Sequence, residues 1–231
     1  MVQRGVHLGH QTFRWNPKMA PYIYTKRNGV HIIDLIQTSS QLKRISSKLT
    51  ELSSQGKTFL FVGTKRQASQ TLARVAIESN SFYVNERWLG GMLTNWKTIK
   101  KSLHTLQELE AQESSDAFKK LPKKEATTLR KRKERLQKYL GGLKGMVTLP
   151  DVVIIVGQME EMNAVLECKK LGITTISILD TDCDPTLTNL FVVANDDSIK
   201  SLDLICSVFL QSIVTGKNYN AKAVTRRSAK L

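Results

Sequence analysis

The chain has 231 residues, 41% of them hydrophobic, and its 35 Lys+Arg against 20 Asp+Glu give a formal net charge of +15. That apolar share is enough for a packed core and excludes a disordered basic tail, while no apolar run approaches the roughly 20 residues that span a bilayer. An excess of positive charge this large repels itself in a compact state and is best accommodated beside a polyanion, nucleic acid first and an anionic membrane second.

The opening residues, Met1-Val2-Gln3-Arg4-Gly5, form no signal-peptide apolar stretch and no long transit segment. The chain is therefore expected to work where it is made, or to lack its targeting segment. His7 and His10 come next, then Arg14, Trp15 and Lys18, where a ring flanked by cations suits either an RNA surface or a buried Trp with charged neighbours. Tyr22-Ile23-Tyr24 and Val30-His31-Ile32-Ile33 flank Lys26-Arg27-Asn28-Gly29, a hairpin signal because Asn-Gly tolerates the positive φ of a two-residue turn. A helix is predicted over 38–52, with Leu42, Ile45, Leu49 and Leu52 on one stripe.

Short buried-strand runs then alternate with helical patterns: strands at 58–62, 81–84, 151–156, 174–179 and 190–193, helices at 67–79, 159–171 and 198–214. Continuous β-branched runs suit strands covered on both faces. The order predicts an α/β fold with a doubly wound parallel sheet. Gly63-Thr64-Lys65-Arg66 comes after a strand and opens a helix, where α/β sheets bind phosphates. It is neither a Walker A nor a GxGxxG motif, so Lys65 and Arg66 read as candidates for RNA phosphates rather than for a nucleotide. The stretch from Asn85 to Lys97 gathers Arg87, Trp88, Gly90, Gly91, Asn95, Trp96 and Lys97 in one loop, fit both to anchor a hinge and to meet RNA; Thr94 or Asn95 is placed to cap the long helix after it.

From about 95 to 143 the rhythm breaks. Leu103, Leu106 and Leu109, then Leu129, Leu136, Tyr139 and Leu140, predict two amphipathic helices joined near Pro122 as an antiparallel hairpin over 96–143, inserted into an α/β domain of 1–95 and 144–216. Its basic second arm, with Arg130, Lys131 and Lys133, is expected to meet RNA or an acidic protein surface. Residues 217–231 read as a flexible basic tail.

Cys168, Cys183 and Cys206 have no metal-ligand spacing and read as buried thiols. Asp180, Asp182 and Asp184 form a carboxylate-rich turn without calcium-loop spacing, so no metal and no other cofactor are expected, although a structural ion near His7, His10 or Asp182 stays open. No catalytic constellation is present, and the competing class is a Rossmann-like nucleotide module or enzyme.

Gly5-Val6-His7-Leu8-Gly9-His10, Trp15-Asn16-Pro17-Lys18-Met19, Val62-Gly63-Thr64-Lys65, Arg87-Trp88-Leu89-Gly90-Gly91-Met92-Leu93-Thr94-Asn95-Trp96, Leu149-Pro150-Asp151 and Ala194-Asn195-Asp196-Asp197 resemble, in order, the second small-subunit ribosomal protein family in its bacterial and plastid branch. The resemblance implies a flavodoxin-like five-stranded parallel sheet with a helical hairpin, and a structural role in the small ribosomal subunit between head and body. It also implies binding to 16S-type rRNA, contact with neighbouring ribosomal proteins, and a messenger-binding ribosomal protein near the hairpin. It carries no catalytic residue. The RNA-contact candidates are Arg14, Trp15, Lys18, Arg27, Lys65, Arg66, Arg87, Trp88, Asn95 and Lys97, and the protein-contact candidates Arg130, Lys131 and Lys133. A chloroplast ribosome is the expected location, with a bacterial cytoplasm as the alternative.

Overall fold

A computed structural model describes residues 1–114 and 122–228, with side chains described as far as 221. Its larger sheet has five strands: β4 (Phe59–Val62), β5 (Phe82–Val84), β6 (Val152–Val156), β7 (Thr174–Leu179) and β8 (Leu190–Val193). They are parallel and ordered β5-β4-β6-β7-β8, which in sheet-internal numbering is the flavodoxin-like order 2-1-3-4-5. Every residue of β4 and β6 is buried, as expected of strands covered on both faces.

One face is covered by α1 (Leu35–Ser54), α2 (Arg66–Glu78) and α6 (Ile199–Ser228). Phe59, Phe61, Ile154 and Ile176 meet Leu42, Ile45, Leu72, Ile205 and Phe209 there. The pairing of α1 with α6 uses small polar residues: Ser46 Oγ lies 2.7 Å from Ser212 Oγ, and Ser53 Oγ donates to the Ile213 carbonyl at 2.6 Å. Between Ile199 and Ala221, α6 is long and apolar enough by length and mean hydropathy (1.3) to cross a membrane, a property that no single apolar run in the sequence announces. Its apolar side chains Leu202, Ile205, Phe209 and Ile213 are buried in the core, as in the central helix of a globular domain. The helix also runs through the expected tail boundary at 216–217. Lys217 explains why: its ammonium caps the end of α2 by donating to the Ser79 and Asn80 carbonyls at 2.7 and 2.8 Å. Residues 229–231 of the expected tail lie outside the described residues.

The other face carries α5 (Met162–Leu171), the loop 85–95, and the roots of α3 (Trp96–Ser114) and α4 (Lys123–Leu140). Leu60, Val62, Val153 and Ile155 pack there against Trp88, Met92, Leu103, Leu140 and Cys168. The connection between α3 and α4, residues 115–121, lies outside the described residues. Gly142, just past α4, sits so close to β5 that a Cβ there would lie 2.2 Å from the Tyr83 carbonyl oxygen.

A second, antiparallel sheet joins β1 (Leu8–Gln11), β2 (Ile23–Arg27) and β3 (Val30–Ile33) with β3 in the middle. Asn28 (φ 49°) and Gly29 (φ 75°) both adopt the left-handed conformation between Arg27 and its partner Val30, the geometry of a tight hairpin turn. This is the hairpin that Asn-Gly predicts. The third strand, β1, is not predicted, because its Leu-Gly-His-Gln run lacks strand character.

Candidate nucleic-acid interface

The loop 85–95 is held by one carboxylate on α5. Glu167 Oε1 accepts from Trp88 Nε1 at 3.0 Å and the Gly91 amide at 2.8 Å. Its Oε2 accepts from the Leu93 and Thr94 amides at 2.9 Å each and from Thr94 Oγ1 at 3.1 Å. Burial pushes the Glu167 carboxyl up, but these donors outweigh it and hold its pKa below the usual range. Trp88 is thereby turned into the core, where it buttresses the loop and offers no ring for stacking. Asn95 lies exposed before α3, its Oδ1 accepting from Thr98 Oγ1 at 2.8 Å. Arg87 and Lys97, on either side of this anchored loop, are exposed and make no hydrogen bond or ion pair among the described residues.

The N-terminal loop forms a second surface. Trp15 rests against His31 of β3 with ring centroids 5.2 Å apart and remains 39% exposed, beside Phe13 at 78% and Tyr24 at 76%. Arg14 and Arg27 are exposed and unpaired among the described residues, and the Thr12 amide bonds the Gly29 carbonyl at 3.0 Å, tying this loop to the hairpin turn. Cations beside exposed rings are the combination that binds phosphates and unstacked bases together. Lys18 differs: its ammonium is 2.6 Å from Asp184. Burial pushes the Asp184 carboxyl up, but Lys18 and Thr186 outweigh it and bring it down to about 2. Asp184 also caps the turn after it by accepting from the Thr186 amide at 2.9 Å.

At the carboxyl ends of the strands, between β4 and β6, lies the crevice where doubly wound sheets take nucleotides. Here the chain's own groups fill it. Glu161 accepts from the Thr64 amide at 2.7 Å, ahead of α2. Lys65 turns inward onto Asp196 at 2.7 Å and Asp197 at 3.0 Å, with Glu160 at 3.7 Å. Gly157 (φ 77°) makes room, since a Cβ there would meet the Lys65 stem and Glu160 at 3.0 Å. His10 reaches in from β1, 3.1 Å from Asp180, 3.4 Å from Asp197 and 3.7 Å from Asp182.

Carboxylates outnumber cations in this cluster, so protons are held tightly. The Asp180 carboxylate, 3.1 Å from His10 Nδ1, outweighs burial and lifts His10 to about 9. Burial opposes the Lys65 ammonium, but Asp196, Asp197 and Glu160 raise its pKa above the ordinary lysine value. Burial, with Asp180 adding, pushes Asp196 up to about 7 against the pull of Lys65. Ligand atoms of His10, Asp180 and Asp196 lie within 4.8 Å of one another, a spacing that suits a divalent cation. Lys65 and, when protonated, His10 stand opposite these carboxylates. Lys65, expected on RNA, therefore serves inside the fold, because its stem passes under Gly157 to the buried Asp196. Arg66, next to it, is exposed and unpaired among the described residues.

On the second arm, Arg130 lies 3.3 Å from Glu113 and Lys133 is paired with the same carboxylate, so both brace α4 against α3. Lys131 faces out beside Lys123, Lys124, Thr127 and Thr128. Cys168, Cys183 and Cys206 are buried free thiols; burial pushes Cys168 and Cys206 up to about 12, which leaves them unreactive.

The profile of the family described as Ribosomal protein S2 matches residues 1–216. The chain belongs to the Ribosomal protein S2 family. Among relatives, small ribosomal subunit protein uS2c of Oltmannsiellopsis viridis is 62% identical over 217 residues, covering 94% of this chain and 91% of that one. The uS2c protein of Chlorella vulgaris is 52% identical over 230 residues, covering 100% and 85%. The uS2 protein of a Picosynechococcus species is 53% identical over 218 residues, covering 94% and 85%. Membership makes this a ribosomal structural protein and not an enzyme.

Proposed function

We propose that this chain is a structural component of the small subunit of a chloroplast ribosome, seated between head and body by binding 16S-type rRNA. The observation that carries the reading is how the cations are divided. Lys65 and Lys18 are consumed by internal carboxylates, whereas Arg14, Arg27, Arg66, Arg87 and Lys97 stand exposed and unpaired among the described residues. Cations left over in this way, in a chain of net charge +15, are suited to neutralise phosphates. The Arg14–Trp15 loop and the hairpin turn form one contact region, and Arg87 and Lys97 at the hairpin root form another. Lys131, with its neighbouring lysines and threonines on α4, is the surface offered to a neighbouring protein, a messenger-binding ribosomal protein among them. The relatives' names support the ribosomal setting, and the filled crevice speaks against the nucleotide module.

Charge reversal tests the assignment. Small subunits are isolated from cells carrying Arg27→Glu or Arg87→Glu, and occupancy by this protein is measured by mass spectrometry. The proposal expects occupancy to fall several-fold in each. Full occupancy in both variants would refute the contact assignments. Stoichiometric nucleotide binding in equilibrium dialysis, with RNA binding insensitive to salt, would refute the function.

A further inference from the structure

Where the loop 85–95 meets the last turns of α4, Arg87, Leu89, Arg135, Leu136, Tyr139 and Leu140 enclose a cavity of about 180 Å³. Its floor is apolar: Leu140 is buried, and Leu89, Leu136 and Tyr139 are partly covered. Its rim is cationic. Arg87 and Arg135 are exposed, and neither has a hydrogen-bond or ion-pair partner among the described residues. The nearest loop carboxylate, Glu86, is already engaged by Lys138 at 3.5 Å, so it does not compensate them.

An apolar slot with unpaired guanidiniums at its mouth matches a ligand with an uncharged body and anionic groups beside it. A continuous RNA duplex presents phosphates but no such body. An unstacked nucleotide presents both, because its base leaves the stack while the phosphates on either side stay within reach. We infer that the slot takes one unpaired nucleobase of the small-subunit rRNA, seated against Leu136 and Tyr139, with its flanking phosphates held by Arg87 and Arg135. The inference rests on the RNA-binding reading and narrows it. The segment met at the hairpin root is a bulge, loop or strand end, not uninterrupted helix. The anchoring of the loop by Glu167 keeps Arg87 and Leu89 in register with α4, so the slot is built before RNA arrives.

The test uses small subunits assembled with rRNA carrying 4-thiouridine and 6-thioguanosine, irradiated, digested and searched by mass spectrometry for nucleotide adducts on this chain. The slot predicts adducts on the peptide containing Leu136 and Tyr139. Leu136→Trp, which fills the cavity, should abolish that adduct and weaken affinity for the rRNA about tenfold, the effect of losing one stacked base. Its thermal midpoint is measured alongside; should it melt lower than wild type, Arg135→Ala on an exposed side chain carries the same test. Adducts around Arg14 and Trp15 with none at the slot, or cross-links from the slot to a neighbouring protein, overturn the slot and leave RNA binding intact. Unchanged affinity in a stably folded Leu136→Trp protein also overturns it. No nucleotide adduct anywhere on the chain overturns the RNA reading itself.

Discussion

Replacing Glu167 with Gln removes one acceptor oxygen and its charge while keeping the side chain's size. Oε1 serves Trp88 and Gly91, while Oε2 serves Leu93 and Thr94, the latter through both amide and hydroxyl. Whichever way the new amide turns, its NH2 group faces N–H donors, and at least the two donors on one side lose their partner. A buried donor left unsatisfied costs about 1–3 kcal/mol. With partial access of water at this loop, the sum is about 3 kcal/mol, a large share of the total stability of a typical domain. For a chain of this length that corresponds to a fall of roughly 6–12 °C in thermal midpoint. The assay is thermal unfolding followed by circular dichroism, with amide hydrogen exchange at Gly91, Leu93 and Thr94 as the local reading. The amides on the side that loses its acceptor, Gly91 or else Leu93 and Thr94, should exchange faster, and the Trp88 indole proton should shift in the NMR spectrum. A midpoint within a degree of wild type, with unchanged protection, would show that the carboxylate does not hold the loop. In the wild type, the depressed pKa of Glu167 makes its contribution present above the ordinary carboxylate pKa and lost as the pH falls through its lower folded value.

His10 gives the opposite pH dependence. Its folded pKa of about 9 lies above the ordinary value of 6.5, so the stability it supplies is complete below pH 6.5 and lost as the pH rises through about 9. The amplitude is at most about 3 kcal/mol, and denaturant midpoints measured from pH 6 to 10 should decline in the wild type and decline less steeply in His10→Asn, where Asp196 at about 7 still titrates. Lys65→Met leaves the buried Asp196 without its cation and should cost up to about 3 kcal/mol in urea unfolding at pH 9, where that carboxyl is otherwise ionised, and less at pH 6, where it takes up a proton. Gly142→Ala drives a methyl onto the Tyr83 carbonyl and should cost about 1–3 kcal/mol by the same measurement, whereas the same change at the open Gly145 meets no neighbour but strains a positive φ.

The parallel strands are legible in the sequence because a strand buried on both faces must be apolar at every position. The run 151–156 gives Val152–Val156 for that reason, and the Asn28-Gly29 turn comes from the backbone it requires. Strand order is not legible, since it depends on which crossover packs where and leaves no local trace. Nor is the fate of individual cations. Lys65 and Arg66 are adjacent and read alike, yet one turns into a nest of carboxylates contributed by residues more than 90 positions away and the other faces solvent. Glu167 leaves no signal at all. It is one acidic residue on a helix between buried Val165 and Cys168, and its donors lie 73 to 79 residues earlier in the chain. The helix predicted over 198–214 stops short of the observed α6 because the residues from 217 on are polar and basic and read as a tail; close packing of Gly216 against α1 carries the helix past that point.

The most direct test of the central claim is the salt dependence of affinity for small-subunit rRNA, comparing the wild type with Arg14→Ala, Arg27→Ala and Arg87→Ala. If the unpaired cations each neutralise a phosphate, log affinity should fall linearly with log salt concentration with a slope of roughly −4, and each substitution should lower the steepness by about 1. Affinity that hardly responds to salt, or a slope unchanged by all of these substitutions, would contradict the account.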